Sequence, residues 1–308
     1  MRIVFMGTPD FAVPCLERLV SDGENVVGVF SQPDKPKGRG HILTPPPVKE
    51  CALTHNIPVF QPVKMKASQT VDALKELNPD LIIVVAYGKI LQKEILTLPK
   101  YGCINIHASL LPKYRGAAPI QWAVLNGETV SGVTSMLMDE GLDTGDMLLK
   151  AQVEIGENDT AEDLHDKLSV LCAEVMSKTI AKLKAGELVP EKQPDGEYQY
   201  ASMLSKSMCP IDWNKSAKEI HNQIRGLYSW PMATTLLDGK ILKIHSSKLS
   251  DMKSDRAGEV IYNDKKLVVA CGDGNAIEIT KLQAEGKKAM SAESFMLGRK
   301  IDTGTRLG

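Results

Sequence analysis

The chain has 308 residues, 43% apolar and 24% charged, with a formal net charge of −1 at pH 7. That length accommodates two domains, and 24 Gly with 17 Pro are too few for a fibrous or disordered chain. No charge-free window approaches the roughly 18 apolar residues of a membrane span, and none of the six cysteines pair as Cys-x-x-Cys, so the expectation is a cytoplasmic protein with free thiols, no structural zinc and no membrane partner.

The opening RIVFM reads as a first strand ending at Gly7, because MRIVFMGTPDF lacks the basic and long apolar regions of a signal peptide. FAVPCLERLVSDG then carries helical spacing up to Gly23, and VVGVF at 26–30 is a second strand. After the Pro- and Gly-rich QPDKPKGRGHILTPPPV come a short helix near Val48–Thr54 and a PVF strand at 58–60. SQTVDALKELN places Val71, Leu74 and Leu77 on one helical face, and LIIVVAYG at 81–88 is apolar throughout, as a central strand covered on both sides must be. GCINIHAS is the next strand, GAAPIQWAVLNG a helix and GVTSMLM another strand. Strands alternating with helices predict an α/β fold, a Rossmann-like and mostly parallel sheet with helices on both faces, whose ligands sit beyond the carboxyl ends of the strands.

A long helix runs from about Thr160 to Leu183, with Thr160 and Asp163 as a capping box that uses Asp for the usual Glu. The polar, Pro- and Gly-marked stretch from 189 to 206 is the linker, which puts a first domain at 1–188 and a second at 207–308. IDWNKSAKEIHNQIRGLYSWP reads as one helix ending near Gly226. Beyond it, ATTLL, ILKIHSS, GEVIY, LVVAC and AIEITKLQ, separated by DG, NDKK and GDG turns, predict a small OB-like β-barrel of the kind that binds oligonucleotides. Residues 1–206 carry 21 Lys and Arg against 26 Asp and Glu, whereas 207–308 carry 16 against 12. A net −5 part followed by a net +4 part can guide a polyanion even though the total is close to zero.

The densest chemistry lies in INIHASLLPKYRGAAPIQWA, residues 104–123. Asn105 and His107 are two apart on a strand and project to one face, with Ile104 and Ile106 turned the other way. MDEGLDTGDML supplies carboxylates at Asp139, Glu140, Asp143 and Asp146 between closely spaced glycines, and position alone does not choose among them. An amide, an imidazole and a carboxylate suit acyl transfer without a covalent intermediate: the amide donates to a developing oxyanion and the imidazole moves a proton. Nothing marks Ser109 as an activated nucleophile, and no second spaced histidine supports a metal at His107.

NIHASLLPKYRGAAPIQWA and GLDTGDML together resemble the signature of the formyltransferases that use 10-formyltetrahydrofolate, and GTPDFAVPCL with QPDKPKGRG resembles the branch that acts on methionyl-tRNA. The resemblance covers essentially the whole chain. It implies Asn105, His107 and Asp143 as the catalytic set, so that Asp143 is chosen among the acids. It further implies folate along Val85, Ala86, Tyr87, Gly88, Lys89, Ile90 and Leu91 and along Gly141, Leu142 and Asp143, with Ser109, Leu110, Leu111 and Pro112 beside it and the fused ring held largely by backbone groups.

The acceptor it implies is the aminoacyl end of initiator methionyl-tRNA, with no DNA partner and no metal. DKPKGRGH at 34–41 has three positive charges, and here Lys35, Lys37, Arg39 and His41 are expected at the RNA; Arg39 matches the residue by which the family reads the acceptor-end distinction of initiator tRNA. Lys206, Lys215, Lys218, Arg225, Lys287 and Lys288 are the cations expected to meet phosphates farther along, whereas Leu227, Tyr228 and Pro231 give Trp230 a core or interdomain role rather than a stacking one. A monomer is expected. Two rivals follow from the same residues: formylation of a small amine, such as a purine-pathway ribonucleotide or an amino sugar, and a non-enzymatic RNA-binding protein. A dinucleotide-dependent oxidoreductase is disfavoured because the first strand ends in GTPDF and not in a GxGxxG turn.

Overall fold

The structure, a computed structural model, describes every residue except 38–41, 66, 195 and 197, and of Lys37 the backbone alone. Its elements in chain order begin with β1 Arg2–Gly7, α1 Val13–Ser21, β2 Asn25–Phe30, β3 Lys35–Lys37, β4 Ile42–Thr44, α2 Pro47–Thr54, β5 Val59–Phe60, α3 Ser68–Leu77, β6 Leu81–Val85, α4 Lys93–Leu96 and β7 Cys103–His107. There follow β8 Arg115–Gly116, α5 Pro119–Leu125, β9 Val130–Leu137, β10 Met147–Glu154, α6 Ala161–Ala185, β11 Tyr200–Ala201 and α7 Ala217–Gly226. The chain finishes with β12 Ala233–Leu237, β13 Lys240–Ser250, β14 Val260–Tyr262, β15 Leu267–Ala270, β16 Ala276–Ala284, β17 Met290–Ser291 and α8 Ala292–Gly298. Two compact units partition it: Met1–Gly116, Gly132–Val153 and His165–Tyr200 form one, and Ala117–Ser131, Glu154–Leu164 and Ala201–Gly308 the other. No composition shift marks the assignment of 117–131 and 154–164 to the second unit.

The first unit is built on a seven-stranded sheet ordered β10-β9-β7-β6-β1-β2-β5. The β7-β6-β1-β2-β5 run is parallel, as the alternation of strands and helices predicts, but β9 is antiparallel to β7, with Ile104 opposite Leu137 and His107 opposite Thr134. Ile3 through Met6 of β1 and Leu81 through Val85 of β6 are all buried, so both faces of the sheet centre are covered. On one face Val4, Met6, Ile82, Val84 and Cys103 pack with Val71 and Leu74 of α3 and Ile95 and Leu96 of α4. By the two-residue alternation of β7, Asn105 and His107 share that face with Cys103. The segment after β2 carries two short antiparallel strands, Lys35 opposite Thr44 and Lys37 opposite Ile42. Asp34 anchors its root, accepting from Lys49 Nζ at 2.8 Å and Gln61 Nε2 at 2.7 Å, and these two bonds hold its carboxyl below the usual range. All six cysteines are free and buried. Among the described residues no helix is long and apolar enough to cross a membrane.

The second unit carries a curled antiparallel sheet ordered β12-β13-β16-β15-β14, with β17 on β16. Register shifts beside Ser246 bend the long β13–β16 pair. The last residues link the two sheet edges: Thr305 O accepts from Val260 N of β14, and Gly308 N donates to Leu236 O of β12. Its core runs from Trp213, Ile220 and Ile224 through Ile244, Leu267, Ile277 and Leu282 to Phe295.

Three expectations for this region are corrected. The helix begins at Ala217, not at Ile211: Ser216 and Glu219 form a capping box, and Ile211 N is already bonded to Thr234 O. Trp230 is 57% exposed, so it is no core residue; Trp213 fills that place at 5%. Arg225 is 4% exposed and faces no solvent. Its Nε and Nη2 donate to Asn222 Oδ1 at 3.0 and 2.9 Å and its Nη1 to the Asp159 carbonyl at 2.9 Å, so a phosphate cannot reach it without breaking an internal network.

One turn earlier on α7, His221 is 1% exposed, with Nε2 donating to the Glu157 carbonyl at 3.0 Å and Nδ1 accepting from Ser247 Oγ at 2.9 Å. Both ring nitrogens are satisfied in the neutral tautomer, and burial holds the imidazole below its ordinary value of 6.5. The unfolded chain therefore binds this proton more readily, and stability falls as the pH drops below that value. Melting temperature should decline between about pH 7.5 and pH 5.5, and His221→Gln should flatten that slope; an unchanged slope in the variant would remove His221 as its source.

Candidate active site

Three loops of the first unit meet the face of β7 that carries Asn105 and His107. The parallel strands β6 and β7 end at the same edge, with Val84 opposite Asn105, which places residues 85–91 beside His107. Asp143 arrives differently from what a strand-end rule gives. Because β9 is antiparallel, its last residue Leu137 lies beside Ile104 at the start of β7, and the 138–146 connection has to fold back to bring Asp143 within 3.7 Å of His107. Glycines permit this fold: a Cβ on Gly145 would lie 1.7 Å from the Leu137 carbonyl oxygen, and one on Gly141 would lie 2.0 Å from Thr144 Oγ1.

His107 is 7% exposed and its Nε2 lies 2.9 Å from the Tyr114 carbonyl oxygen. A carbonyl only accepts, so Nε2 bears a hydrogen, and Nδ1 is the nitrogen that turns to Asp143 Oδ2. The same Oδ2 accepts from Gly116 N at 2.8 Å. Among the described residues nothing hydrogen-bonds to the side-chain amide of Asn105, which stays half-buried with its donors available. Ser109 is 1% exposed and its hydroxyl donates to Lys113 O at 2.6 Å, so it is a loop brace and not a nucleophile. Thr134 Oγ1 fastens the same loop by donating to Ser109 O and accepting from Leu111 N. Ala86, Tyr114 and Asp143 all adopt the left-handed region, at φ of 46°, 59° and 53°. Three non-glycine residues held there in one site store strain of order 1–3 kcal/mol each, which the surrounding bonds must offset.

Residues 85–91 alternate between interior and surface. Val85, Tyr87 and Leu91 are buried in the core, Tyr87 with its hydroxyl on Met65 Sδ at 3.2 Å, while Ala86, Gly88 and Ile90 are exposed. Of the residues expected at folate, Val85, Tyr87, Leu91, Ser109 and Leu111 therefore keep their side chains inside the protein. The loop is propped by residues the sequence reading did not single out. Thr8 Oγ1 and Gln32 Nε2 both donate to the Tyr87 carbonyl, at 3.1 and 3.0 Å, and a Cβ on Gly88 would meet Gln32 Nε2 at 2.6 Å. Their signal was available in part, since Thr8 and Gln32 stand inside the GTPDF and QPDKP motifs. Between α4 and Met138–Gly141 a cleft of about 430 Å³ opens, lined also by Lys93, Leu96 and Thr97.

A third missed residue, Gln193, falls in the stretch assigned to the linker. Its Nε2 donates to the carbonyls of Asp143 and Gly145, each at 2.8 Å, and its Oε1 accepts from Arg115 Nε at 2.8 Å. The Arg115 guanidinium in turn lies 4.2 Å from the centroid of the Tyr198 ring. Polar composition in that stretch hid the contact, because the partners are backbone atoms that no sequence pattern displays.

Lys35 is exposed, with Nζ on Gln32 Oε1 at 3.0 Å. Arg39 and His41 lie outside the described residues, as does the side chain of Lys37. In the second unit Lys206, Lys215, Lys218, Lys287 and Lys288 are all exposed.

The chain matches the formyl transferase family over residues 1–180 and the formyl transferase C-terminal domain over 203–300, which makes it an enzyme of the formyltransferase class. It is 53% identical to a methionyl-tRNA formyltransferase of Caldanaerobacter subterraneus subsp. tengcongensis, covering 100% of both chains, and 52% identical to one of Clostridium novyi, covering 98% of both. The chain belongs to the methionyl-tRNA formyltransferase family. A crystal structure of the N-formyltransferase from Helicobacter canadensis, in complex with folinic acid and dTDP-3-aminofucose, has the same fold, with a TM-score of 0.71 at 23% identity over 92% of this chain and 98% of its own.

Gln193→Ala should leave substrate KM nearly unchanged and lower kcat by up to about 10²-fold, because it frees the backbone that carries Asp143. Gln193→Glu, which keeps the acceptor toward Arg115 but loses the amide donor, should behave like the alanine variant; wild-type kcat in both would show that Asp143 is held without Gln193.

Proposed function

We propose that this enzyme transfers the formyl group of 10-formyltetrahydrofolate to the free α-amino group of initiator methionyl-tRNA for translation initiation, as a cytoplasmic monomer. The observation that carries the reading is the pairing of an unpartnered Asn105 amide with a His107 ring whose Nε2 is committed to a carbonyl and whose Nδ1 faces Asp143. Attack of the amine nitrogen on the formyl carbon forms one C–N bond, and departure of folate N10 breaks the other. Charge gathers on the formyl oxygen between the two, and Asn105 Nδ2 is the donor suited to it. The attacking nitrogen must lose a proton and N10 must gain one. Of the two ring nitrogens of His107 only Nδ1 is free to carry it, and the Asp143 carboxylate faces that nitrogen and orients the ring.

The residues fit a folate. The cleft of about 430 Å³ is within the range of small-molecule sites, Ile90 and Leu142 offer apolar side chains 82% and 52% exposed, and the strained Ala86–Gly88 backbone leaves room for close approach of a flat ring. We read residues 1–188 as the catalytic domain, 207–308 as the tRNA-binding barrel and 189–206 as the linker that lends Gln193 to the site. Lys35, Lys37, Arg39 and His41 would approach the acceptor end, and Lys206, Lys215, Lys218, Lys287 and Lys288 the phosphates; Trp230, exposed, is available to stack on a base. A C-terminal unit alone does not select RNA over a small amine, because the Helicobacter canadensis N-formyltransferase matches 92% of this chain. What favours methionyl-tRNA is identity near 50% over the full length to enzymes named for it.

With 10-formyltetrahydrofolate and charged tRNA, formyl transfer to initiator methionyl-tRNA is expected to exceed transfer to elongator methionyl-tRNA and to small amines. No transfer to either tRNA by folded protein would overturn the function. Asn105→Ala should lower kcat about 10²-fold, roughly 3 kcal/mol of transition-state stabilisation, with little change in KM. Arg39→Ala should act the other way, raising KM for initiator tRNA and narrowing its advantage over the elongator while kcat holds; unchanged discrimination would sink the assignment of the basic hairpin.

A further inference from the structure

On the first unit, Glu17, Cys51 and His55, none of them part of the site described above, bring a carboxylate, a thiol and an imidazole together. Cys51 and His55 stand one helical turn apart, i and i+4, the last turn of α2 and its C-cap, so their side chains share a face; Glu17 reaches them from α1. Glu17 Oε1 lies 3.1 Å from Cys51 Sγ and Glu17 Oε2 lies 2.9 Å from His55 Nε2, and one donor atom from each residue falls within 4.8 Å of the others. Cys51 is 7% exposed, whereas the side chains of His55 and Glu17 are 29% and 50% exposed, so the cluster has a closed sulfur end and an open solvent end.

We propose that Glu17, Cys51 and His55 form a binding site for a thiophilic divalent cation of the zinc type, separate from the formyl-transfer chemistry. Three mixed sulfur, nitrogen and oxygen donors with one open side suit a four-coordinate ion whose fourth ligand is water. Metal–ligand bonds of about 2.0–2.3 Å at tetrahedral angles set donor-to-donor separations near 3.4–3.6 Å. The Cys51 and His55 contacts to Glu17, at 3.1 and 2.9 Å and made to different oxygens of its carboxylate, are a few tenths of an ångström shorter than this, so the side chains part slightly to admit an ion. Binding replaces the thiol S–H bond by an S–metal bond and releases that proton to solvent, and the His55 ring must be neutral. The ion would brace α1 against α2, the helix that begins three residues after the basic hairpin, and no step of catalysis passes through it.

The competing account is a closed hydrogen-bond triad, Cys51 and His55 both donating to Glu17, with no affinity for metal. Cobalt(II) added to the untagged, metal-free protein separates the two. A bound ion gives thiolate-to-cobalt charge transfer in the near ultraviolet and tetrahedral visible bands at one equivalent per chain, and zinc displaces it. Cys51→Ser should abolish the charge-transfer band, and His55→Gln should weaken zinc binding at least tenfold while circular dichroism and formyl transfer stay at wild-type levels. Zinc should also raise the melting temperature of the wild type and not of Cys51→Ser. Absence of the band in the wild type, or its persistence in a folded Cys51→Ser protein, would overturn the site; since formylation is read separately, that failure leaves the enzyme assignment standing.

Discussion

Because a carbonyl oxygen can only accept, the 2.9 Å contact from His107 Nε2 to Tyr114 fixes a proton on that nitrogen whatever the charge of the ring. The rest of the site is arranged around this constraint. It leaves Nδ1 as the ring nitrogen not committed to a carbonyl, and Nδ1 is the one that Asp143 faces. The carbonyl itself is presented by a residue at φ 59°, in a loop whose turns are tied by Ser109 to Lys113 O and by Thr134 to Ser109 O and Leu111 N. Those small hydroxyls sit beside the chemistry without taking part in it; they hold the carbonyl where the ring must find it.

The carboxylate is placed by a different device. An antiparallel β9 sends its loop away from His107, and the loop returns over the sheet only because Gly141 and Gly145 sit where any Cβ would strike Thr144 or the Leu137 carbonyl. Asp143 then takes a left-handed conformation, and one amide, Gln193 Nε2, donates to its own carbonyl and to that of Gly145. With Gly116 N on its carboxylate and the Gln193 amide on its backbone, a side chain at 12% exposure is held in a way that a carboxylate on a free loop is not.

Much of this was legible beforehand, for identifiable reasons. Apolar runs such as Leu81–Val85 and the 3.6-residue spacing of α3 and α6 depend on local pattern, and the Thr160–Asp163 cap is present with both of its bonds. Asn105 and His107 could be read because a polar pair on one face of an apolar strand departs from its surroundings. What was hidden depends on partners distant in sequence. The β3–β4 hairpin is three residues a side, too short for a period; β10 is half-exposed along its length; and α8 buries only Ala292 and Phe295, one stripe shorter than two turns. Gln193 and Arg225 show the same limit from opposite directions. A polar residue in a presumed linker proved to hold the backbone of Asp143, and a presumed surface cation proved to be internal, since neither role is decided by residue type.

Formyl transfer needs an oxyanion donor, a proton carrier and an aligned amine, and none of these distinguishes methionine on tRNA from an amino sugar. The fold shared with the Helicobacter canadensis enzyme at 23% identity makes the same point at the level of architecture. Selectivity must therefore come from contacts away from the reacting atoms, where binding energy is used to align the amine rather than to alter the chemistry. Among the described residues, the exposed side chains available for such contacts include Lys35 and, in the second unit, Lys206, Lys215, Lys218, Lys287, Lys288 and Trp230. A net charge close to zero hides a positive surplus in residues 207–308 and an acidic excess in residues 1–206. The Asn105–His107–Asp143 set and the exposed cations are thus under different physical constraints, packing and strain for the first and exposure and charge for the second.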